Sequence, residues 1–462
     1  MKIVRAALLL LFSVANDTGF AQPRSDKAIE RSLDSALQAN FQPNEPGIVV
    51  LAARQGKIIY QKAYGSANIE LGVPLQPDMV FRIASVSKQF TAIGILQLME
   101  LGKLRLSDSI RQYLPDFPYK GATITIEHLL THTSGIPDFM GIDHPDRYIE
   151  RHDLTLQLII DHFKNAPLQF KPGTRYAYSN SGYTLLAAII EKVSGQPFHQ
   201  YMRKAVLDKA GLQRTYYEHE MTVIPGRVAG YTRDKGYYQN TYFQSISLGY
   251  GCGDLLSTVG DLYKWHQALY AYKLVSKQTL EKAQSSYTLP DGNPTGYGYG
   301  WIITTKFGMP YIKHEGQVSG FISLEGYLPG QDIFVAALTN LKSGEDRTDF
   351  SSRRFMLLNA LPELVAGTPV QELTLSKEEM AGYTGKYKMA NGNNRLEVIV
   401  KDGRLFLQQG MPFRMQPITQ RKFFVPDIPG DATVEFVLDA SGKSTGLLVW
   451  QGGVKYDWLR VD

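Results

Sequence analysis

The sequence predicts a mixed α/β layer fold that is followed by a separate all-β module. Strand-like runs stand at both ends of the first 366 residues, around a mostly helical middle, at 47–54, 57–64, 301–305, 321–328 and 333–339. This order favours one sheet that is assembled from both ends of the region, flanked by helices and carrying a helical subdomain. Beyond residue 366, short strand-like runs alternate with turns, which is typical of a small barrel or sandwich.

The individual elements follow from the spacing of apolar residues and from turn and stop signals. Residues 26–38 form an amphipathic helical pattern, and residues 87–101 form another that Gly102 ends. The first two strand-like runs flank Gln55-Gly56 and predict a β-hairpin. Further helices are predicted over 183–193, 198–210 and 254–269, and strands of the C-terminal module over 396–401, 405–409, 422–425, 433–438 and 447–451.

Composition and charge describe an ordinary globular protein. The chain has 462 residues, of which 44% are hydrophobic and 20% charged, and its net charge is only +5. No basic run has interleaved aromatic residues, so a nucleic-acid partner is not expected. Because Cys252 is the single cysteine, no intramolecular disulfide is expected.

The first 21 residues predict a cleaved signal peptide. Lys2 and Arg5 precede an apolar stretch over 6–15 that is too short to span a bilayer, and residues 19–21 offer a signal-peptidase site. An uncleaved N-terminal anchor is the alternative. Export without disulfides favours a secreted bacterial protein, with the periplasm as its expected location and no membrane span after cleavage.

Candidate chemistry centres on the segment 81–88 (FRIASVSK), which contains the only Ser-x-x-Lys of the chain. At the start of a helix, residues three apart share a face, so the Lys88 amine can reach the Ser85 hydroxyl. A serine hydroxyl needs a base to become a nucleophile, and a lysine serves as that base once burial lowers its pKa. Alone the motif is weak, because a solvated lysine on a surface helix is the favoured explanation when no other evidence is present.

Two further motifs follow downstream. Tyr178-Ser179-Asn180 lies on a predicted loop before a helix, and His314-Glu315-Gly316 lies just before a strand-like run. The order Ser-x-x-Lys, Tyr-x-Asn, His-x-Gly resembles the serine β-lactamase and penicillin-binding-protein family, whose relatives carry Ser-x-x-Lys, Ser-Asp-Asn and Lys-Thr-Gly. The resemblance covers about residues 30–360 and extends to the segments 129–137 (LLTHTSGIP), 256–262 (LSTVGDL) and 298–301 (GYGW).

The resemblance implies the β-lactamase/transpeptidase-like fold and a role for each motif residue. Ser85 would attack a carbonyl, while Lys88 and Tyr178 would share the general-base and proton-shuttle work. Asn180 would hydrogen-bond the substrate amide. His314 would orient Tyr178 or contact a substrate carboxylate.

The third motif departs from the Lys-Thr-Gly form. His314 replaces a permanent cation, and Glu315 adds a negative charge if it points inward, so both changes argue against efficient β-lactam hydrolysis. The resemblance also places Gly316 and Gln317 beside the substrate. The backbone N–H groups of Ser85 and Gln317 would form the oxyanion hole.

We therefore expect a secreted serine hydrolase that forms an acyl-enzyme with peptide amides, including those with D-residues, or with esters. The alternatives are a class C-like β-lactamase and a non-catalytic sensor that binds penicillin or cell-wall fragments. The expected partner is a small peptide or ester substrate, and an oligomer is compatible with the sequence. No cofactor or metal is expected, since the pair His128 and His132 lacks the glutamate of a zinc-protease motif.

The sequence thus divides into a signal peptide (1–21), a hydrolase domain (22–366) and a β-barrel accessory domain (367–462). The segment 375–387 (LSKEEMAGYTGKY) resembles the opening of the lipocalin-like barrel that many such hydrolases carry. We hypothesise that the module restricts access to the cleft or supports contacts between subunits.

Overall fold

The computed structural model of the protein describes residues 25–143, 149–217, 223–234, 237–306, 309–342, 353–366, 375–390, 392, 394–409, 411–417, 421–425, 432–451 and 454–462. The predicted signal peptide lies outside the described residues. Within these ranges, no helix has both the length and the apolar character needed to cross a membrane.

Hydroxyl side chains begin several of the helices. Ser25, Thr155, Thr258 and Ser276 each accept a hydrogen bond from a backbone N–H of the first turn that has no partner inside the helix. In chain order the helices are α1 (Asp26–Gln38), α2 (Ser87–Glu100), α3 (Ile126–Leu130), α4 (Leu156–Phe163), α5 (Asn180–Ser194), α6 (Phe198–Met202), α7 (Asp208–Ala210), α8 (Val259–Tyr270), α9 (Lys277–Ala283), α10 (Arg353–Ala366) and α11 (Lys377–Tyr383).

The strands fall into a main sheet, a C-terminal sheet and three small sheets. In chain order they are β1 (Ile48–Arg54), β2 (Lys57–Tyr64), β3 (Ser66–Asn68), β4 (Val73–Pro74), β5 (Phe81–Arg82), β6 (Tyr216–Tyr217), β7 (Tyr231–Asp234), β8 (Tyr237–Asn240), β9 (Leu255–Ser257), β10 (Ile302–Lys306), β11 (Met309–Val318), β12 (Phe321–Leu328), β13 (Ile333–Thr339), β14 (Gly385–Met389), β15 (Arg395–Lys401), β16 (Arg404–Gln409), β17 (Met411–Arg414), β18 (Gln416–Pro417), β19 (Lys422–Val425), β20 (Ala432–Leu438), β21 (Ser444–Gln451) and β22 (Val454–Arg460).

The main sheet confirms the predicted assembly from both ends of the region. Its order is β10-β11-β12-β13-β1-β2, and every neighbouring pair is antiparallel. β1 pairs with β13 from Ile48↔Thr339 onward and forms the predicted hairpin with β2. Gln55 and Gly56 in the hairpin turn have positive φ angles of 52° and 73°, which suit the twist of a tight hairpin.

Apolar cores cover both faces of this sheet, so β1 is hydrophobic throughout instead of alternating. Val49 and Leu51 join a large core that β1 shares with α2, α5 and α8. Ile48 and Val50 point to the other face and join a second core with α1 and α10. The first core fixes the helical subdomain against the sheet, and the predicted site residues lie along that junction.

The predicted helix over 254–269 is wrong at its beginning. Residues Leu255–Ser257 form β9, which lies between β5 and β6, and the helix α8 begins only after Thr258 caps it. The apolar residues Leu255 and Leu256 continue the helical spacing, but cross-strand pairing outweighs it. As a result, residues 249–255 lie beside the Ser-x-x-Lys motif.

The C-terminal module is one curled antiparallel sheet, which confirms the predicted all-β module. Its order is β17-β16-β15-β14-β22-β21-β20-β19-β18, around an apolar core of its own that begins at Met380. Only Met415 separates β17 from β18, although the two strands stand at opposite ends of the order. Counted as one interrupted strand, they give eight strands in a barrel-like curl. The domain boundary after Ala366 stays a prediction.

Candidate active site

Ser85 lies in a single helical turn, Ala84–Val86, that leads directly into α2. Ala84 has a φ of +46°, a conformation that costs free energy and that is common where a side chain must be presented sharply. β11 presses on this turn from the side: a Cβ on Gly316 would overlap the Ile83 carbonyl oxygen and lie 3.0 Å from the Ser85 nitrogen. The half-buried Ser85 is therefore held between α2 and the sheet.

Lys88 lies one turn further along and is fully buried. Its Nζ is 3.1 Å from the Ser85 Oγ, 2.8 Å from the Asn180 Oδ1 and 2.8 Å from the Cys252 carbonyl oxygen. Two of these three neighbours are permanent acceptors that cannot donate. When Lys88 is neutral, its two N–H bonds can go to those acceptors, and its lone pair then faces the Ser85 hydroxyl.

Burial lowers the pKa of Lys88 from 10.5 to about 8. Charge interactions with Cys252, Asp138 and Asp254 oppose this effect and keep the pKa from falling further. About one molecule in ten therefore carries a neutral Lys88 at pH 7, the form that a general base requires.

Tyr178 lies on the loop before α5, half-buried beside the nucleophile. The Lys88 Nζ is 4.8 Å from the centre of its ring, and its hydroxyl interacts with the Ser85 side chain. Burial raises the pKa of Tyr178 well above its usual value, with a smaller opposing effect from Ser85. Tyr178 is therefore a neutral phenol at neutral pH, able to pass a proton on.

Asn180 begins α5 and connects Lys88 to a carboxylate that the sequence analysis missed. Its Oδ1 accepts from Lys88, and its Nδ2 donates to the Asp138 Oδ2 at 3.0 Å. Burial raises the pKa of Asp138, while hydrogen bonds from Met140 and Asn180 and the Lys88 charge oppose that rise. Asp138 directly follows the 129–137 segment, and this adjacency was the only signal in the sequence.

His314 lies in the middle of β11, and both of its ring nitrogens are engaged. The Nδ1 donates to the Glu315 carbonyl oxygen at 2.6 Å, so the Nε2, 2.9 Å from the Tyr297 hydroxyl, accepts. Burial, reinforced by the nearby Lys88 charge, lowers the pKa of His314 to about 3. The imidazole is therefore neutral, its ring centre is 6.4 Å from that of Tyr178, and Tyr297 is a second residue that the sequence analysis missed.

Glu315 does not point toward the nucleophile, so it does not add the negative charge to the site that the sequence analysis considered. Its Oε1 forms an ion pair with the Lys313 Nζ at 2.8 Å, and Lys313 also contacts Asn359 of α10. Residues two apart in a strand share a face, so Lys313 and Glu315 lie opposite His314 and Gly316. The negative charge of Glu315 is neutralised on the far side of the sheet.

The predicted oxyanion donors lie at the contact between β11 and the Ser85 turn. Within the described part of the chain, the Ser85 backbone N–H donates to no protein acceptor, which leaves it free for an oxyanion. Gln317 follows Gly316 in β11, and its Nε2 is buried without a partner among the described residues. Both roles stay predictions.

The buried ring of His132 packs against the rings of Tyr178, Tyr183 and Tyr297. His132 is buried with a φ of +56°, accepts from the Ser179 N–H at 3.1 Å, and lies with its ring centre 4.3 Å from that of Tyr178. Burial lowers the pKa of His132 well below its usual value, so the ring is neutral. No group of metal-ligating side chains is present among the described residues, and the position of His132 is that of a packing residue.

Comparison with known proteins agrees with this geometry. Residues 26–355 match the family model "Beta-lactamase". Penicillin-binding protein 4* of Bacillus subtilis is 30% identical over 437 residues, which cover 87% of this chain and 92% of that protein. The octameric penicillin-binding protein homologue from Pyrococcus abyssi has a TM-score of 0.62 and 26% identity, and covers 95% of this chain and 100% of its own.

A further similar structure is the D-amino acid amidase from Ochrobactrum anthropi, in complex with D-phenylalanine. It has a TM-score of 0.63 and 25% identity, covering 74% of this chain and 97% of its own. The family model spans well over half of the chain, and it includes all the motif residues described above. The chain therefore belongs to the Beta-lactamase family.

Proposed function

We propose that the protein is a serine hydrolase in which Ser85 forms an acyl-enzyme and Lys88 is the general base. The observation that carries this proposal is the position of the Lys88 amine. It is buried, 3.1 Å from the Ser85 hydroxyl, and held by two fixed acceptors. A lysine with a purely structural role would not require a serine hydroxyl three residues before it.

In the proposed first step, neutral Lys88 takes the Ser85 proton as the Ser85 Oγ bonds to the substrate carbonyl carbon. The carbonyl oxygen gains negative charge, and the backbone N–H groups of Ser85 and Gln317 stabilise it. Tyr178, kept protonated by burial, gives its proton to the leaving nitrogen or oxygen and regains one from Lys88. Water then cleaves the acyl-enzyme by the same route in reverse, and the carboxylic acid product leaves.

The proposed substrates are peptide amides, including those with D-residues, or esters. A β-lactam carboxylate would meet no cation on this part of β11, because His314 is neutral and both its nitrogens are engaged. The name of one similar structure, the D-amino acid amidase from Ochrobactrum anthropi, supports an amide substrate.

The test is a substrate panel with a matched serine control. D-Ala-D-Ala peptides, D-aminoacyl amides, linear peptides, p-nitrophenyl esters and nitrocefin are incubated with the unmodified protein, with Ser85→Ala and with Ser35→Ala, an exposed serine on α1. We expect turnover of an amide or ester and labelling by a fluorophosphonate probe, both lost only in Ser85→Ala. Equal labelling of all three proteins would overturn the proposal.

We further propose that the protein is exported and self-associates. The predicted signal peptide supports export, and the octameric state of the Pyrococcus abyssi protein supports association. Expression with the native N-terminus, followed by N-terminal sequencing of the periplasmic fraction and light scattering, tests both.

A further inference from the structure

A short turn and the first residue of β9 together hold the nucleophile motif and α2 at four points. The Ile83 N–H donates to the Leu255 carbonyl at 3.0 Å, and the Leu255 N–H donates to the Ser87 Oγ at 3.1 Å. The Thr91 Oγ1 donates to the Gly251 carbonyl at 2.7 Å, and the Lys88 Nζ donates to the Cys252 carbonyl at 2.8 Å. The turn 249–253 and the start of β9 therefore form a cradle for α2 and for its lysine.

This turn is tight and closely packed. The Cys252 and Gly253 N–H groups both donate to the Gly249 carbonyl, at 2.7 and 2.6 Å. Gly251 has a φ of +73°, and a Cβ there would lie 2.6 Å from the Ala187 Cβ of α5. Only glycine fits this combination of conformation and space. Gly251 is buried, so its backbone N–H needs a fixed acceptor.

That acceptor is the carboxylate of Asp254, which is only 2% exposed. Its Oδ2 accepts from the Gly251 N–H at 3.1 Å and from the His199 Nε2 at 2.9 Å. His199 is the outer member of the pair, since its side chain is 30% exposed. Its ring stacks on that of Tyr217 and packs at a tilt against that of Tyr250, with both ring centres 4.6 Å away.

We propose that Asp254 is a positioning residue for Lys88, with His199 as its surface-facing partner: together they fix the turn whose carbonyl oxygens hold the base and its helix. This inference rests on the proposed function, because it concerns the base of that reaction. Neither residue touches Ser85 or the substrate position. They act through Gly251 and Cys252.

The charge of Asp254 adds a second effect on the base. In a buried setting a carboxylate favours the charged form of a nearby lysine, and Asp254 raises the pKa of Lys88 in this way. The titratable and charged groups around Asp254 come from the turn itself and from the packed elements: Cys252, His199, Arg203, Tyr217, Tyr250, Glu191 and Lys88. Replacing the carboxylate by an amide should therefore move the titration of Lys88 to lower pH.

The test compares Asp254→Asn with Asp261→Asn. Asp261 is also only 2% exposed. Its carboxylate accepts hydrogen bonds from the Arg214 backbone N–H, the Thr215 hydroxyl and the Lys264 amine, and these groups do not contact Lys88. For Asp254→Asn we expect kcat to fall roughly ten- to hundredfold, since small displacements of a catalytic group have such effects. KM should change little, and the rise of kcat/KM with pH should begin at lower pH. Asp261→Asn should change stability only.

Two measurements keep the inference separate from the proposed function. The Lys88 titration is followed by NMR of ¹³C-lysine-labelled protein, assigned with Lys88→Met, and needs no substrate. A lower midpoint in Asp254→Asn shows that Asp254 acts on Lys88 even in a protein that hydrolyses nothing on the panel, and the fall in kcat tests its positioning of that base. If Asp254→Asn does not fold, His199→Phe, which keeps the aromatic stack, should lower kcat, and His199→Gln, which keeps a donor, should restore it. A folded Asp254→Asn with unchanged kcat and midpoint, or a fully active His199→Phe, overturns the inference.

Discussion

The proposed role of Lys88 predicts a particular pH dependence for hydrolysis of a neutral ester. With its pKa lowered to about 8, Lys88 is neutral in about one molecule in a hundred at pH 6, about one in ten at pH 7 and about half at pH 8. kcat/KM reports the free enzyme, so it should rise about fiftyfold from pH 6 to pH 8 and level off above about pH 9.

The assay is the initial rate of ester cleavage between pH 6 and 10.5, with the rate of Ser85→Ala subtracted as background. Lys88→Arg is the matched control, because arginine keeps its charge over this range and cannot act as the base. A flat profile between pH 6 and 9 would refute the role of Lys88. A rate that keeps rising above pH 10 would assign the base to Tyr178, whose pKa burial raises.

The lowered pKa of Lys88 also makes the free energy of unfolding depend on pH. The pKa of Lys88 lies near 10.5 in the unfolded chain and near 8 in the folded protein, so the unfolded chain binds the proton more tightly. Between about pH 8 and pH 10.5 the free energy of unfolding should therefore gain about 3 kcal/mol from this group. Urea unfolding at both pH values, with Lys88→Met as the reference that lacks this contribution, measures the difference.

Three further predictions concern β11. Tyr297→Phe leaves the buried His314 Nε2 without its donor, so we expect a loss of about 1–3 kcal/mol in thermal or urea unfolding together with slower turnover. Gly316→Ala puts a methyl group against the Ser85 turn, so probe labelling should fall; Gly260→Ala, whose Cβ meets only an ordinary contact at 3.7 Å, should label normally. Glu315→Gln should leave kcat/KM unchanged, since the carboxylate faces Lys313; a large effect would contradict that orientation.

The fold class and the three motifs could be predicted from the sequence because they depend on local pattern. The i, i+3 spacing of Ser85 and Lys88 survives in any helix, and the structure also brings Tyr178, Asn180 and His314 to the same place. Their catalytic roles stay predictions.

The residues that were missed depend on packing between distant segments. Asp138 contacts Asn180 across 42 positions of sequence, and Tyr297 contacts His314 from a loop outside any motif. The sequence pattern predicts a helix at Asp254, because Leu255 and Leu256 fit helical spacing and no local signal indicates the pairing of β9 with β5. Contacts between such distant residues depend on strand register and on the topology of the chain, and neither can be read from a single sequence.

The turn that holds Lys88 also carries the single thiol of the chain. The Cys252 side chain is 2% exposed, and burial raises its pKa to about 12, so a thiol reagent at neutral pH should react only when the turn opens. The labelling rate of the native protein would then report the free energy of local opening at this one place, as amide hydrogen exchange does elsewhere. A bound acyl group on Ser85 should slow that labelling. The difference in labelling rate would then measure how much the acyl-enzyme stabilises the turn against opening.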